Sequence, residues 1–220
     1  MNAIIYYIGL SVLIIVGIAN QSCTSIATNS NEDNKEYSFA LPAHPSIQDS
    51  LKAYKRMQLK VRDLNAFIKN NESYNSYLFF LLDMHVESNH YRFFVYDNNA
   101  KKILLQGLVA HGVGSMTDNE DSLYFSNIPE SNCSSLGKYK IGEKYTGRFG
   151  TSYKLYGLDA TNSNAYNRAI VLHAFKNIPN EECNYPITLS LGCPMVSTQF
   201  FSKFEKIIDT SDKNMLMWMY

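Results

Sequence analysis

A series of short apolar runs separated by turn-forming residues begins at residue 77, and it constrains the fold more than any other feature. Residues 77–84, 91–96 and 103–110 are rich in aromatic and aliphatic side chains, with polar separators at 87–90 and 97–101. Runs of this length with such separators are typical of β-hairpins. Further strands are predicted at 139–141, 152–155, 169–173, 187–189 and 215–220. The 16 Tyr and 12 Phe residues also favour strands.

A helical pattern precedes the strands. After Ser46, a typical N-cap residue, apolar side chains recur at helical spacing. They are Ile47, Leu51, Tyr54, Met57, Val61, Leu64 and Ile68. We expect this stripe to pack on the domain, and a second helix near 198–210. The sequence thus predicts a mainly β (α+β) fold, with a helical segment at 46–75, one or two additional short helices, and one main domain at 76–220.

The first 27 residues have the character of an export leader. Residues 4–19 are almost continuously apolar, which is shorter than the roughly 20 residues of a membrane span and suits a signal-peptide core. Ser25 and Ala27 supply small residues for cleavage after Ala27, although the first basic residue is Lys35. Residues 28–45 are polar and aperiodic, and we interpret them as a linker.

Cys23 offers an alternative to cleavage after Ala27. Ser22 before it suits bacterial lipoprotein processing, whereas Asn20 and Gln21 depart from the usual apolar and small residues. An uncleaved N-terminal anchor is the third alternative. All three place the domain outside the cytoplasm, with membrane attachment in two of them.

Charge and cysteine content restrict the function further. Lys+Arg and Asp+Glu both total 20, and this balance argues against nucleic-acid binding. With Cys23 in the leader, Cys133, Cys183 and Cys193 remain, an odd count that is typical of a free reactive thiol or of one pair plus one. A Cys133–Cys183 disulfide is one option, and two unpaired thiols are the favoured one.

The segment Ser190-Leu191-Gly192-Cys193-Pro194 carries the strongest chemical signal. Glycine permits unusual backbone angles and proline restricts the exit, so this turn could present a thiol. A thiolate there would be a nucleophile, and the backbone N–H groups of Gly192 and Cys193 could hold an oxyanion. The alternative is a small buried side chain, because free cysteine is often buried.

A cysteine nucleophile needs a base, and two histidines compete for that role. His173 ends the apolar run 169–172 and could be oriented by Asp159 or by the backbone carbonyl of Ala174. His111 follows another predicted strand and is the rival base. The residues alone leave this choice open. No metal-ligand spacing and no phosphate-binding glycine loop occurs in the sequence.

Two further features could line a cleft. Arg168 could clamp a substrate carboxylate or form a structural ion pair. The polar segment 125–139 could line a cleft or be a solvated loop.

Several short blocks in a fixed order resemble the murein L,D-transpeptidase catalytic domain family, relatives of the YkuD-type cysteine transpeptidases. The resemblance covers about residues 76–220. The blocks are Val109-Ala110-His111-Gly112, Phe125-Ser126-Asn127, Ser134-Ser135-Leu136-Gly137-Lys138-Tyr139, Tyr145-Thr146-Gly147, Gly157-Leu158, Asn164-Ala165, Arg168-Ala169-Ile170-Val171-Leu172-His173 and Ser190-Leu191-Gly192-Cys193-Pro194.

The resemblance implies a β-sandwich or barrel in which a cysteine and a histidine lie on neighbouring strands beside a cleft. It implies Cys193 as nucleophile, His173 as base and the Ala174 carbonyl as third member. Family members carry glycine at the position of Ala174, and this departure puts the local backbone geometry in doubt. Substrate-binding candidates are Ser190, Arg168, Asn127, Ser126, Tyr139 and His111.

The implied reaction is acyl transfer on peptidoglycan stem peptides, through a Cys193 thioester and without a cofactor. An amine acceptor would make the protein an L,D-transpeptidase, and water would make it an L,D-carboxypeptidase. We expect a monomer exported to the periplasm or cell envelope of a bacterium. Two alternatives are an inactive cell-wall-binding domain of the same fold and a cysteine amidase that uses His111 as base.

Overall fold

A computed structural model describes residues 47–118 and 122–220. The predicted leader with Cys23, the linker and Ser46 lie outside these residues. Two α-helices, one 3₁₀ helix and eight strands form the described chain. They are α1 (Ile47–Ile68), β1 (Tyr74–Leu82), β2 (Phe93–Asp97), β3 (Lys102–Gly107), the 3₁₀ helix (Val113–Ser115), β4 (Gly137–Gly147), β5 (Gly150–Gly157), β6 (Val171–Ala174), β7 (Met195–Val196), α2 (Thr198–Asp209) and β8 (Asn214–Met219).

All eight strands belong to one sheet, in the order β3-β2-β1-β8-β4-β5-β6-β7. Neighbours are antiparallel except β1–β8 and β6–β7, which are parallel. An antiparallel bridge joins Ala110, three residues after β3, to Met195 in β7, and the Ala110 N–H donates to the Met195 carbonyl at 2.8 Å. Backbone hydrogen bonding therefore connects the two edges of the sheet, as in a barrel. The prediction of a mainly β fold with an N-terminal helix is confirmed.

Strand β1 is apolar on both faces because each face is covered. Phe80 and Leu82 lie in the central core with Phe200 and Phe204 of α2. The Phe80 and Phe204 rings meet edge to face, 5.7 Å between centroids. On the other face, Phe79 packs in a second cluster with α1. A continuous apolar run is the pattern expected of a strand buried on both sides.

Helix α1 contributes only part of its apolar stripe to the second cluster. Met57, Val61 and Leu64 are buried in it. Leu51 and Tyr54, in the first half of the helix, are 51% and 55% exposed. The stripe therefore packs on the sheet from Met57 onward.

The predicted strand at 187–189 is wrong. Ile187 is buried against Leu108, Ile178 and Met195, but its segment forms no ladder. The only pairing nearby within the described chain is a bridge between Gly112 and Ser190. The strand that pairs in parallel with β6 lies further along the chain. It is the two-residue β7, in which Met195 pairs with His173 and Val196 pairs with Ala174. Apolar composition here reflects side-chain burial and not backbone pairing.

Within residues 47–118 and 122–220, neither α-helix has the length and apolarity needed to cross a bilayer.

Candidate active site

The turn that carries Cys193 is held by hydrogen bonds and requires glycine. Gly192 has φ +114°, and a Cβ there would lie 2.8 Å from the Cys133 carbonyl oxygen. Its N–H donates to Ser190 Oγ at 3.0 Å, and its carbonyl accepts from Ser134 Oγ at 3.3 Å. Ser134 Oγ in turn accepts from the Gly112 N–H at 3.0 Å. The turn is therefore tied to two other loops.

The Cys193 thiol is partly buried beside the start of β6. The Val171 N–H points at Sγ from 3.5 Å, and Sγ lies 3.8 Å from the Ala169 carbonyl oxygen. Burial raises the pKa of the Cys193 thiol, while the Val171 N–H and the Arg168 charge oppose that rise. The resting group is consequently a neutral thiol, and its reaction as a nucleophile needs a base.

His173 lies two residues after Val171 on β6. It pairs with Met195 on β7 and Ser152 on β5, and its N–H approaches the Pro194 carbonyl at 3.5 Å. The histidine and the cysteine turn are therefore on adjacent segments. This juxtaposition follows from the parallel β6–β7 pair.

The His173 ring is oriented by a backbone carbonyl. Nδ1 lies 3.0 Å from the Ala174 carbonyl oxygen. Because a carbonyl can only accept, Nδ1 carries the proton and Nε2 keeps its lone pair. The side chain is 1% exposed, and burial lowers the pKa of His173, opposed by the Ala174 carbonyl. Asp159, the other candidate orienter, accepts from the Lys138 N–H at 2.7 Å and pairs with Lys138 Nζ at 2.6 Å.

Ala174 fits its position without strain. It ends β6 and pairs with Val196. Positive φ among described non-glycine residues occurs only at Lys101, Glu130, Asn132 and Ala169. The glycine that the family carries is not required by the backbone angles here.

Arg168 binds backbone carbonyls of the segment 126–135. Nη1 donates to the Ser126 carbonyl at 2.8 Å, and Nη2 donates to the Cys133 carbonyl at 2.6 Å. The guanidinium thus holds this segment against the loop that leads into β6. It also places a positive charge near Cys193.

Both ring nitrogens of His111 are occupied. Nδ1 accepts from Arg92 Nη2 at 2.9 Å, so Nε2 carries the proton and faces Met116 Sδ at 3.3 Å. Burial, together with the Arg92 charge, lowers the pKa of His111 to about 4. The His111 carbonyl accepts from the Ser190 N–H at 2.9 Å. His111 therefore supports the cysteine turn through its backbone and has no nitrogen lone pair available in this state.

The remaining predicted site residues hold loops together. Ser126, Ser190 and Tyr139 are buried, and the Tyr139 hydroxyl bonds to Ser135 Oγ at 2.8 Å. Asn127 Nδ2 donates to the Ala160 carbonyl at 3.1 Å. Their polar groups are engaged in hydrogen bonds within the protein, and those of Asn127 join it to residues 160–164 and not to the cysteine turn.

The other cysteines of the described chain are unpaired. Cys133 is buried, with Sγ 3.0 Å from the Gly114 carbonyl oxygen, and Cys183 is partly buried against the apolar cluster that contains Leu108 and Met195. No group of three or more His, Cys, Asp or Glu side chains that could hold a metal occurs within residues 47–118 and 122–220.

Two residues of the site had no signal in the sequence. Phe149, at the β4–β5 turn, stacks on the His173 ring with 4.5 Å between centroids. Ala169, beside Cys193, has φ +54°. Both depend on contacts between segments distant along the chain.

The arrangement can support nucleophilic catalysis. It combines a thiol on a fixed turn with a neutral imidazole whose Nε2 lone pair is available. The Cys193 N–H makes no hydrogen bond within the described chain, so it can donate to an oxyanion, whereas the Gly192 N–H is held by Ser190.

Comparisons with known proteins agree with the resemblance. A family model described as L,D-transpeptidase catalytic domain matches residues 48–220, a range that includes α1. No curated protein matches significantly.

Three similar solved structures share low identity with the chain. An L,D-transpeptidase from Xylanimonas cellulosilytica DSM 15894 is 12% identical, covering 65% of this chain and 60% of that one, with a TM-score of 0.36. One from Mycobacterium tuberculosis H37Rv is 12% identical, covering 65% and 57%, with a TM-score of 0.34. The Ldtfm-avibactam carbamoyl enzyme is 11% identical, covering 66% and 48%, with a TM-score of 0.37. The match thus spans 48% to 60% of these solved chains.

Because the family model covers most of the sequence, from α1 to the last residue, the chain belongs to the L,D-transpeptidase catalytic domain family.

Proposed function

We propose that this protein is a peptidoglycan L,D-transpeptidase or L,D-carboxypeptidase that uses Cys193 as nucleophile and His173 as base. The observation that carries the proposal is the Nδ1 contact of His173 with the Ala174 carbonyl at 3.0 Å. It leaves Nε2 unprotonated on the strand next to the Cys193 turn. A base oriented in this way, on the strand that pairs with the segment following a cysteine, is the arrangement from which covalent acyl transfer can proceed.

Acylation begins with a stem tetrapeptide. As Cys193 Sγ attacks the carbonyl of the third residue, its proton passes to His173 Nε2, and the Cys193 N–H stabilises the oxyanion. The C–N bond to the terminal D-alanine breaks, and His173 returns the proton to the leaving amine. The product is a thioester between Cys193 and the tripeptide stem.

The acceptor decides the second step. An amine of a neighbouring stem attacks the thioester, loses a proton to His173 and forms a crosslink, and that proton regenerates the thiol. Water in the same role releases a tripeptide. Neither reaction requires a cofactor.

The other predicted site residues support this chemistry from the surrounding loops. Arg168 and Ser190 are directly linked to the loops that hold Cys193. For Gly192 to join the oxyanion hole, Ser190 Oγ must release its N–H. Ser126, Asn127, Tyr139 and His111 contribute internal hydrogen bonds that hold the surrounding backbone segments in place.

The proposed substrate places the protein in the cell envelope. Peptidoglycan stem peptides lie outside the inner membrane, which agrees with the export leader predicted for residues 1–27. Attachment through a lipid on Cys23 or an uncleaved anchor belongs to the same proposal.

The test is D-alanine release by the full-length chain from a stem tetrapeptide, with intact mass recording the adduct on Cys193. We expect C193S to form no thioester and H173Q to acylate about 100-fold more slowly or worse. H111Q should lose far less, which separates this reaction from an amidase that uses His111. A carbapenem is a simpler acylating probe. The absence of any adduct while Cys193 is reduced and accessible would contradict the proposal.

A second candidate is a cell-wall-binding domain without turnover. It is favoured by one observation, the partial burial of the Cys193 thiol, whose Sγ lies 3.8 Å from the Ala169 carbonyl oxygen. It predicts muropeptide binding that C193S leaves unchanged, with no new product in a muropeptide digest.

A further inference from the structure

Phe149 is placed at the candidate base by the β4–β5 hairpin. The hairpin turns between Gly147 and Gly150, which pair with each other, and Gly150 has φ +80°. Two residues after Gly150, Ser152 pairs with His173. The tip of the hairpin therefore extends past β6 on the side of the histidine, and Phe149 is 45% exposed there.

The Phe149 ring lies flat on the His173 imidazole. Their centroids are 4.5 Å apart and the planes differ by 19°. Phe175 meets the Phe149 ring edge to face at 6.2 Å, and the Arg148 guanidinium carbon lies 5.7 Å from its centroid. Since His173 is 1% exposed and Phe149 is half exposed, Phe149 lies between the imidazole and solvent.

We propose that Phe149 is a positioning residue for His173, whose ring fixes the plane of the imidazole and excludes water from one of its faces. The single hydrogen bond of Nδ1 with Ala174 restrains one ring atom, and the stack restrains the ring plane. The catalytic consequence rests on the function proposed above, whereas the effect on the imidazole itself does not.

Shielding has a consequence for the protonation of His173. Burial lowers the pKa of this imidazole, with the Ala174 carbonyl opposing. The ionisable groups on the neighbouring segments are the Cys193 thiol before β7, Arg148 at the hairpin tip and Arg168 on the loop before β6. Removing Phe149 hydrates the ring, so the pKa should rise toward the ordinary value of about 6.5.

The experiment is an NMR titration of His173 in the full-length chain. The chain has five histidines, and H173Q identifies the resonance. The variants are F149A, which removes the ring, and F149Y, which keeps it. Y77A is the matched control. Tyr77 is an exposed aromatic residue, 58% exposed, on β1, and three strands separate β1 from β6 in the sheet. Thermal unfolding of each variant reports whether it folds.

We expect F149A to raise the His173 pKa and to lower the carbapenem acylation rate about tenfold, while F149Y and Y77A stay near wild type. An unchanged His173 pKa in F149A, or an equal rise in F149Y, overturns the proposal. If wild type is not acylated, the proposed function fails, and the titration alone decides the role of Phe149. If F149A does not fold, loss of the stacked ring is tested by F149L, for which the same rise in pKa is expected.

Discussion

At the scale of single residues, the backbone next to Cys193 depends on the glycine at position 192. Gly192 combines a positive φ with a close approach to the Cys133 carbonyl. Gly150 also has a positive φ, but a Cβ there would meet nothing within 4 Å. Substituting alanine at Gly150 therefore measures the cost of the backbone angle alone, and substituting alanine at Gly192 adds the cost of a steric clash.

We predict that G192A abolishes most of the acylation and destabilises the protein more than G150A does. G150A should cost about 1–2 kcal/mol in backbone strain. G192A adds a contact of 2.8 Å with a carbonyl, so the turn must move and the acylation rate should fall on the order of 100-fold. Urea unfolding and the rate of adduct formation measure both effects. Equal rates for the two variants would contradict the assignment of the turn.

At the residue scale the sequence predicted the cysteine turn, but the residues alone did not identify its histidine partner. The Gly192-Cys193-Pro194 pattern predicted a turn that presents a thiol, because glycine and proline restrict the local backbone. From the residues alone the choice between His111 and His173 stayed open, since it depends on which ring nitrogens find partners, and only the family resemblance implied His173. The structure occupies both nitrogens of His111 and only one of His173.

At the scale of elements, helix α1 shows which features the spacing of apolar residues can predict. Its heptad-like stripe correctly predicted a helix, and the observed bounds are Ile47–Ile68. Periodicity could not tell that Leu51 and Tyr54 would remain half exposed while Leu64 is fully buried. Leu64 lies in the cluster that contains Phe79 and Leu216, and neither Leu51 nor Tyr54 belongs to it.

We predict that L64A destabilises the fold by about 2–5 kcal/mol because it leaves a cavity against Phe79 and Leu216. The matched control on the same helix is L59A, since Leu59 is 50% exposed and should change stability by less than about 1 kcal/mol. Urea denaturation of both variants gives the comparison. Similar losses for both would mean that α1 does not pack on the sheet through Leu64.

At the scale of the whole molecule, the candidate site lies where the two edges of the sheet are joined. The segment that follows β3 bridges β7 at Ala110 and then carries His111, which the buried Arg92 holds. This packing keeps an imidazole neutral in the interior, and it links the stability of the entire domain to pH.

We predict that the free energy of unfolding falls as the pH is lowered from 7 to 4. The pKa of His111 is about 4 in the fold and about 6.5 when unfolded, so the unfolded chain binds the proton first. Its contribution is complete above pH 6.5 and is lost as pH falls through the folded value, a change of up to about 3 kcal/mol.

Urea unfolding at pH 7 and pH 4.5 measures this change. H111Q should lose less stability between the two pH values than wild type does, even if it is less stable at pH 7. The same decrease in both proteins would assign the pH dependence to other groups.

The sequence by itself determined the mainly β class, the two α-helices, most strands, the presented thiol and the resemblance to a family, because these depend on local periodicity and on short ordered blocks. Only the tertiary structure decided that 187–189 does not pair, that β7 lies beside β6, that Ala174 needs no glycine angles and that Phe149 covers His173. Each of these depends on packing between segments far apart along the chain. Glycine and proline specify the Ser190–Pro194 turn locally, whereas the sheet sets its position next to the strand of His173.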